Sequence, residues 1–120
     1  MNFKNIMIDL ETLGTAPNAP VVAIGAVFFN PETGELGDTF DAPIDVEDAM
    51  RYGRVSGSTL KWWLGQGDAA RQKVVRGRHD ARTVFEKFHA FCLKHGSDFC
   101  PWGNGASFGI TILEYAFGRI

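Results

Sequence analysis

The hydrophobic pattern opens with a short apolar run over residues 5–10, which predicts a buried strand closed by a Gly-containing turn at Leu13–Thr15. APNAP (16–20) punctuates the chain. VVAIGAVFFN (21–30), rich in β-branched and aromatic residues, predicts a longer strand. PETG (31–34) predicts a turn, with Pro31 pre-setting one φ and Gly34 supplying a positive one. A third strand is expected near 37–45, with Phe40 and Ala42 on one face. Two hairpin-linked strands after a first strand predict an antiparallel opening to a sheet, without internal repeats.

Past Asp45 the pattern turns helical. STLKWWLGQ (58–66) predicts a short helix with Ser58 as its N-cap, and Asp68–Arg76 a second. Asp80–His95 carries the clearest helical stripe, Val84, Phe85, Phe88, Phe91 and Cys92, with Gly96 as its stop. DFCPW (98–102) predicts a buried strand. Ser107 is placed to cap a last helix from Phe108, with Ile110, Leu113 and Phe117 as its core stripe. The expected fold class is α/β: a mixed sheet with antiparallel first three strands, flanked by helices.

Composition adds little beyond this. The 120 residues suit one small domain, 1–120, and 45% hydrophobic content with ten Phe and three Trp is that of a globular chain. A formal net charge of −2 leaves a nucleic-acid partner neither favoured nor excluded. The N-terminus lacks the features of a secretory signal, and no apolar run approaches the ~18–20 residues of a membrane span. A cytoplasmic protein without a membrane partner is expected, with Cys92 and Cys100 as buried free thiols and a single disulfide between them as the alternative.

The chemistry enters in IMIDLETLG (6–14). Asp9 and Glu11 are two residues apart on a predicted strand, so both carboxylates point to one face. Among Ile6, Met7, Ile8 and Leu10 they would repel each other and be costly to desolvate. A divalent cation removes both costs, and hard carboxylate oxygens suit Mg²⁺ or Mn²⁺ rather than zinc. The alternative is the solvated end of a strand, which a bare Asp-x-Glu more often marks. The Gly-containing loop directly after the acids favours the metal.

MIDLETLGTAPNAPVVAIGAVFF, with STLKWWL and WGNGASF, resembles the DEDD (DnaQ-like) 3′→5′ exonucleases, which have a ribonuclease H-like fold. Within them it most resembles the phage and prophage exonuclease VIII-like branch and a group of bacterial 3′→5′ exoribonucleases. The resemblance implies phosphodiester hydrolysis at single-stranded DNA or RNA 3′ ends by two divalent cations, Mg²⁺ or Mn²⁺, held by four carboxylates. It makes Asp9 and Glu11 the first two ligands and catalytic acids, with Glu11 also near the terminal 3′-hydroxyl. Thr12, Leu13 and Gly14 would form the floor under the last nucleotide.

The resemblance puts the third carboxylate at Gly109. An Asp in a first helical turn would meet the positive helix end, whereas Gly costs about 1 kcal/mol relative to Ala in a helix interior. The fourth carboxylate and a Tyr or His base would follow Ile120, and His79, His89 and His95 all precede the helix. A C-terminally truncated fold with two of four ligands and impaired catalysis is therefore expected. An inactive remnant that binds nucleic acid or protein is the alternative.

Around the acids, one of Trp62 and Trp63 is expected in the core and the other free to stack on a base, unless both are core. Arg71, Lys73, Arg76, Arg78, His79 and Arg82 form a basic stretch that could track a phosphate backbone or merely be a solvated face. Asn104, a candidate substrate contact, and Gly105 shape the turn before the last helix. That helix, ITILEYAFGRI, is apolar on more than one side, so a homo-oligomer through it is expected.

Overall fold

The computed structural model describes residues 3–103 and 107–120, with the backbone alone at 107–109. The expectations for Asn104 and Gly105 lie outside the described residues, as does that for Gly109 beyond its place in the last helix. The chain runs β1 (Asn5–Thr12), β2 (Val21–Phe29), β3 (Leu36–Pro43), α1 (Val46–Ala49), a 3₁₀ turn (Met50–Tyr52), α2 (Gly57–Leu64), α3 (Asp68–Val75), α4 (Ala81–Cys92), β4 (Cys100–Gly103) and α5 (Ser107–Arg119). The four strands form one sheet in the order β3-β2-β1-β4. β2 is antiparallel to both β1 and β3, and β4 joins parallel to β1. This is the mixed α/β sheet expected from the pattern.

Register decides which face is buried. Ile6 lies opposite Phe28, Ile8 opposite Ala26 and Leu10 opposite Ile24, with Phe40 and Ala42 continuing the row on β3. These residues belong to, or pack against, one core with Val84, Phe85, Phe88 and Cys92 of α4. Ring contacts between Phe28 and Phe91 at 5.0 Å and between Phe40 and Phe88 at 5.4 Å seat α4 on that face. α4 starts where its cap predicts: Asp80 accepts from the Thr83 backbone N–H at 3.0 Å and from its hydroxyl at 2.8 Å. It ends at Cys92, three residues before His95, in a turn that closes at Gly96 with φ 118°.

Four expectations change. α2 begins at Gly57 with Ser56, not Ser58, at the N-cap, and the two serine hydroxyls bond each other at 2.9 Å. The strand around Cys100 is exposed rather than buried, because β4 is an edge of the described sheet with no neighbour beyond it. Cys100 is accordingly exposed, while Cys92 is buried and its thiol is pushed up to about 11 by desolvation. In α5 the residues facing the core are Ile112, Leu113 and Ala116. Phe117 stands at the margin against Phe85, 4.9 Å between ring centroids. Apolar residues on two adjacent stripes leave a helix's rotation undetermined by periodicity alone, and packing on α4 selects one.

Candidate active site

The face opposite the core carries the acids. Alternation along β1 puts Met7, Asp9 and Glu11 there, and register sets Asp9 opposite Gly25, itself opposite Asp41 on β3. With no side chain at Gly25, the floor between the carboxylates is open. Asp9, Glu11 and Asp41 line a cavity of about 180 Å³ over this floor, closed on one side by Lys73 and Arg76 near the end of α3. Burial raises the Glu11 carboxyl above the ordinary 4.5, as does the neighbouring Asp9 charge; the Lys73 charge acts in the opposite sense.

Directly after Glu11 the ladder slips: Glu11 pairs with Ala23, but Thr12 with Val21. Such a bulge re-aims the strand's exit. Three contacts hold it: the Thr12 hydroxyl donates to Gly14 O at 2.8 Å, Leu13 N–H to Pro20 O at 3.0 Å, and the Trp63 indole N–H to Thr12 O at 2.8 Å. A side chain at Gly14 would bring its Cβ to 3.1 Å from Ala19 Cβ, so this loop packs too closely for a larger residue without movement.

A second cavity, about 410 Å³, opens beside this turn, between Glu11, Thr12 and Gly14 on one wall and Ser58, Trp62 and Trp63 on the other. The tryptophans divide as one of the two expectations had it. Trp63 is buried; Trp62 is 57% exposed and meets Trp63 edge-on at 4.9 Å. Leu13 is not among the residues lining this cleft. It is buried beneath, and lines instead an apolar cavity with Met50, Val55 and Leu60. Glu11 is common to the acidic cavity and the tryptophan cleft.

The basic stretch separates into engaged and available groups. Arg71 pairs with Asp68, Arg76 with Asp41 at 3.5 Å, Arg78 donates to Val75 O and Gly77 O, and Arg82 to Ile120 O. Lys73 faces the acids with no direct ion pair among the described residues. Of the histidines, His95 lies on the core side against Phe28 and pairs with Asp38, and His89 lies by Phe117. β4 ends with Gly103 beside Ile8, so the chain leaves the sheet next to Asp9 and enters α5 four residues later.

Gly25, Asp41 and the placement of Lys73 were not singled out in the sequence. A signal for Asp41 was present: it sits between Phe40 and Ala42, whose shared core face turns it to the side of Asp9.

The donor set fits a hard divalent cation in part. Asp9 and Glu11 line one open space, and Glu11 is disfavoured in its charged form by burial and, second, by the Asp9 charge, penalties that a cation would relieve. Among the described residues no group of three His, Cys, Asp or Glu side chains is close enough to hold a metal. None of the described helices is long and apolar enough to cross a membrane.

Comparison with known proteins gives this arrangement its context. The exodeoxyribonuclease of Enterobacteria phage T4 is 27% identical over 124 residues, an alignment covering 91% of this chain and 53% of that protein. The chain thus spans about half the length of that relative. Two solved structures share the fold: an ExoI/SSB-Ct complex, with a TM-score of 0.69 and 15% identity over 99% of this chain and 24% of the other, and the nuclease domain of 3′hExo, a DEDDh family member bound to rAMP, with a TM-score of 0.62 and 18% identity over 95% and 57%. Residues 4–120 match the 3′-5′ exoribonuclease Rv2179c-like domain. The chain therefore belongs to that family of 3′-5′ exoribonuclease-like domains.

Proposed function

We propose that this chain provides the nucleotide-binding and first metal-binding part of a 3′→5′ exonuclease acting on single-stranded DNA or RNA ends in the cytoplasm. The observation that carries the reading is Glu11, shared between a cleft of nucleotide size with an exposed indole and a cavity lined by carboxylates. Trp62 offers a stacking surface to the terminal base, and Thr12 and Gly14 bring backbone close to its sugar. Glu11 accepts a hydrogen bond from the 3′-hydroxyl. Asp9 and Glu11 would hold Mg²⁺ or Mn²⁺, which when bound supplies charge stabilisation at the phosphoryl group and a more acidic water.

Gly109 has no carboxylate to add, so metal binding by this chain is weak and turnover slow. That residue favours the second reading, a module that binds nucleic-acid ends without cutting them. Self-association through α5 rests on Phe117, which is 40% exposed, since Ile112, Leu113 and Ala116 are already covered; sedimentation of the chain tests it.

The deciding experiment incubates 5′-labelled single-stranded DNA and RNA with the chain and Mn²⁺. Stepwise shortening from the 3′ end that is lost in Asp9→Ala supports the exonuclease. Binding without shortening supports the second reading. Neither binding nor shortening overturns both.

A further inference from the structure

Only one α3 cation stands over the acids uncommitted. Arg71 and Arg76 are neutralised by Asp68 and Asp41, whereas Lys73 has no ion pair or hydrogen bond among the described residues. It is exposed on the outer turn of α3, yet it lines the cavity of Asp9 and Glu11. Three carboxylates and two cations share that cavity, so its charge is mixed rather than simply acidic.

The two cavities meet at Glu11, so a strand seated in one can continue into the other. On the exonuclease reading, with the terminal 3′-hydroxyl at Glu11 and its nucleoside in the Trp62 cleft, the adjoining phosphate would lie toward Asp9, in the cavity that Lys73 also lines. A lysine ammonium suits this task as a compact, mobile point charge that needs no fixed fork geometry.

Resting on the exonuclease reading, we propose that Lys73 is a positioning residue that grips the phosphate lying next to Asp9 and Glu11, holding the strand in register with the cleft. Asp9 and Glu11 would hold a cation that, when bound, would offset the attraction between these acids and Lys73 and leave the ammonium to the phosphate.

The test uses the whole chain and a short 5′-labelled single-stranded oligonucleotide of mixed sequence. Binding is followed by anisotropy in Ca²⁺ across a salt series, with Lys73→Met, Lys73→Arg and a control, Lys87→Met, on exposed α4 surface. Lys73→Met should bind about tenfold more weakly, and its log K against log salt should be shallower by about 0.7, one single-strand phosphate contact. Lys73→Arg should recover most of both, and Lys87→Met should match the wild type. A merely structural role would not move the salt slope. Wild-type affinity and slope in Lys73→Met would overturn the assignment and leave the exonuclease reading standing. No oligonucleotide binding by the wild type would overturn the assignment, and the exonuclease reading falls with it when Mn²⁺ also gives no shortening.

Discussion

Trp63 donates its indole N–H to the carbonyl of Thr12 at 2.8 Å, joining α2 to the strand exit immediately after Glu11. The bulge at Glu11–Thr12 leaves that carbonyl outside the regular ladder, and the buried indole supplies its partner. The adjacent residue, Trp62, makes no such commitment. One pair of neighbours on one helix therefore divides into a buried, hydrogen-bonded side chain and one exposed at the cleft.

That division predicts two different phenotypes. Trp63→Phe keeps most of the apolar bulk and removes the donor, which should cost about 1–3 kcal/mol of stability because a partly buried carbonyl loses its partner. Trp62→Ala should leave stability within about 0.5 kcal/mol of wild type and weaken oligonucleotide binding by about 1–3 kcal/mol through lost stacking. Urea unfolding and anisotropy on both variants check this. A large stability loss in Trp62→Ala would reverse the assignment.

Glu11 predicts a pH dependence with a definite sign. Its folded-state carboxyl is raised by burial and by Asp9, so the folded chain holds the proton more tightly than the unfolded one. Folding is then free of this penalty below the ordinary 4.5 and loses stability as pH rises through the raised value. In chelator, Glu11→Gln should melt higher than wild type at neutral pH, with the advantage vanishing below that value. The difference isolates Glu11 from Asp38, Asp80 and Asp98, whose lowered carboxyls act in the opposite direction in both proteins. Equal melting temperatures at neutral pH would remove the repulsion from the account.

The sheet and α4 were legible in the sequence because each rests on one strong periodicity. Ile6, Ile8 and Leu10 alternate, and Val84, Phe85, Phe88 and Cys92 recur at helical spacing. α5 was not legible to the same degree, since Ile110, Leu113 and Phe117 form as good a stripe as Ile112, Leu113 and Ala116 until α4 is in place. The site was half legible. Asp9 and Glu11 declare themselves by sitting in an apolar run, but Asp41 and Lys73 reach them only through strand register and the path of α3. The apolar neighbours Phe40 and Ala42 mark only which face Asp41 takes, and the basic stretch does not mark which of its cations faces the acids.

Gly109 predicts a separation of binding from turnover. In calorimetry Mn²⁺ should bind the wild type weakly and Asp9→Ala not measurably, because two carboxylates leave most coordination positions to water. Gly109→Asp puts an acid in the first turn of α5, beside the positive helix end. Its Mn²⁺ affinity should rise more than its exonuclease rate. A rate increase that outruns the affinity gain would mean that the carboxylate acts on the chemistry rather than on metal capture.

Gly25 supplies the last prediction, because it sits between Asp9 and Asp41 in the sheet with no side chain to fill that space. A Cβ built there would meet only Asp9 O, at 3.7 Å, an ordinary contact, so the backbone does not require glycine. Strand interiors favour β-branched residues, and glycine there costs about 0.5–1 kcal/mol relative to Ala. Gly25→Val should therefore fold, with equal or greater stability, while its methyls fill the floor of the 180 Å³ cavity. Mn²⁺ affinity and 3′→5′ shortening should both fall, whereas stacking in the Trp62 cleft, read from oligonucleotide binding in chelator, should persist. Unchanged Mn²⁺ affinity in a folded Gly25→Val would place the metal away from this floor. A stability gain with a binding loss would mean that the strand gives up packing at Gly25 to keep the acids accessible.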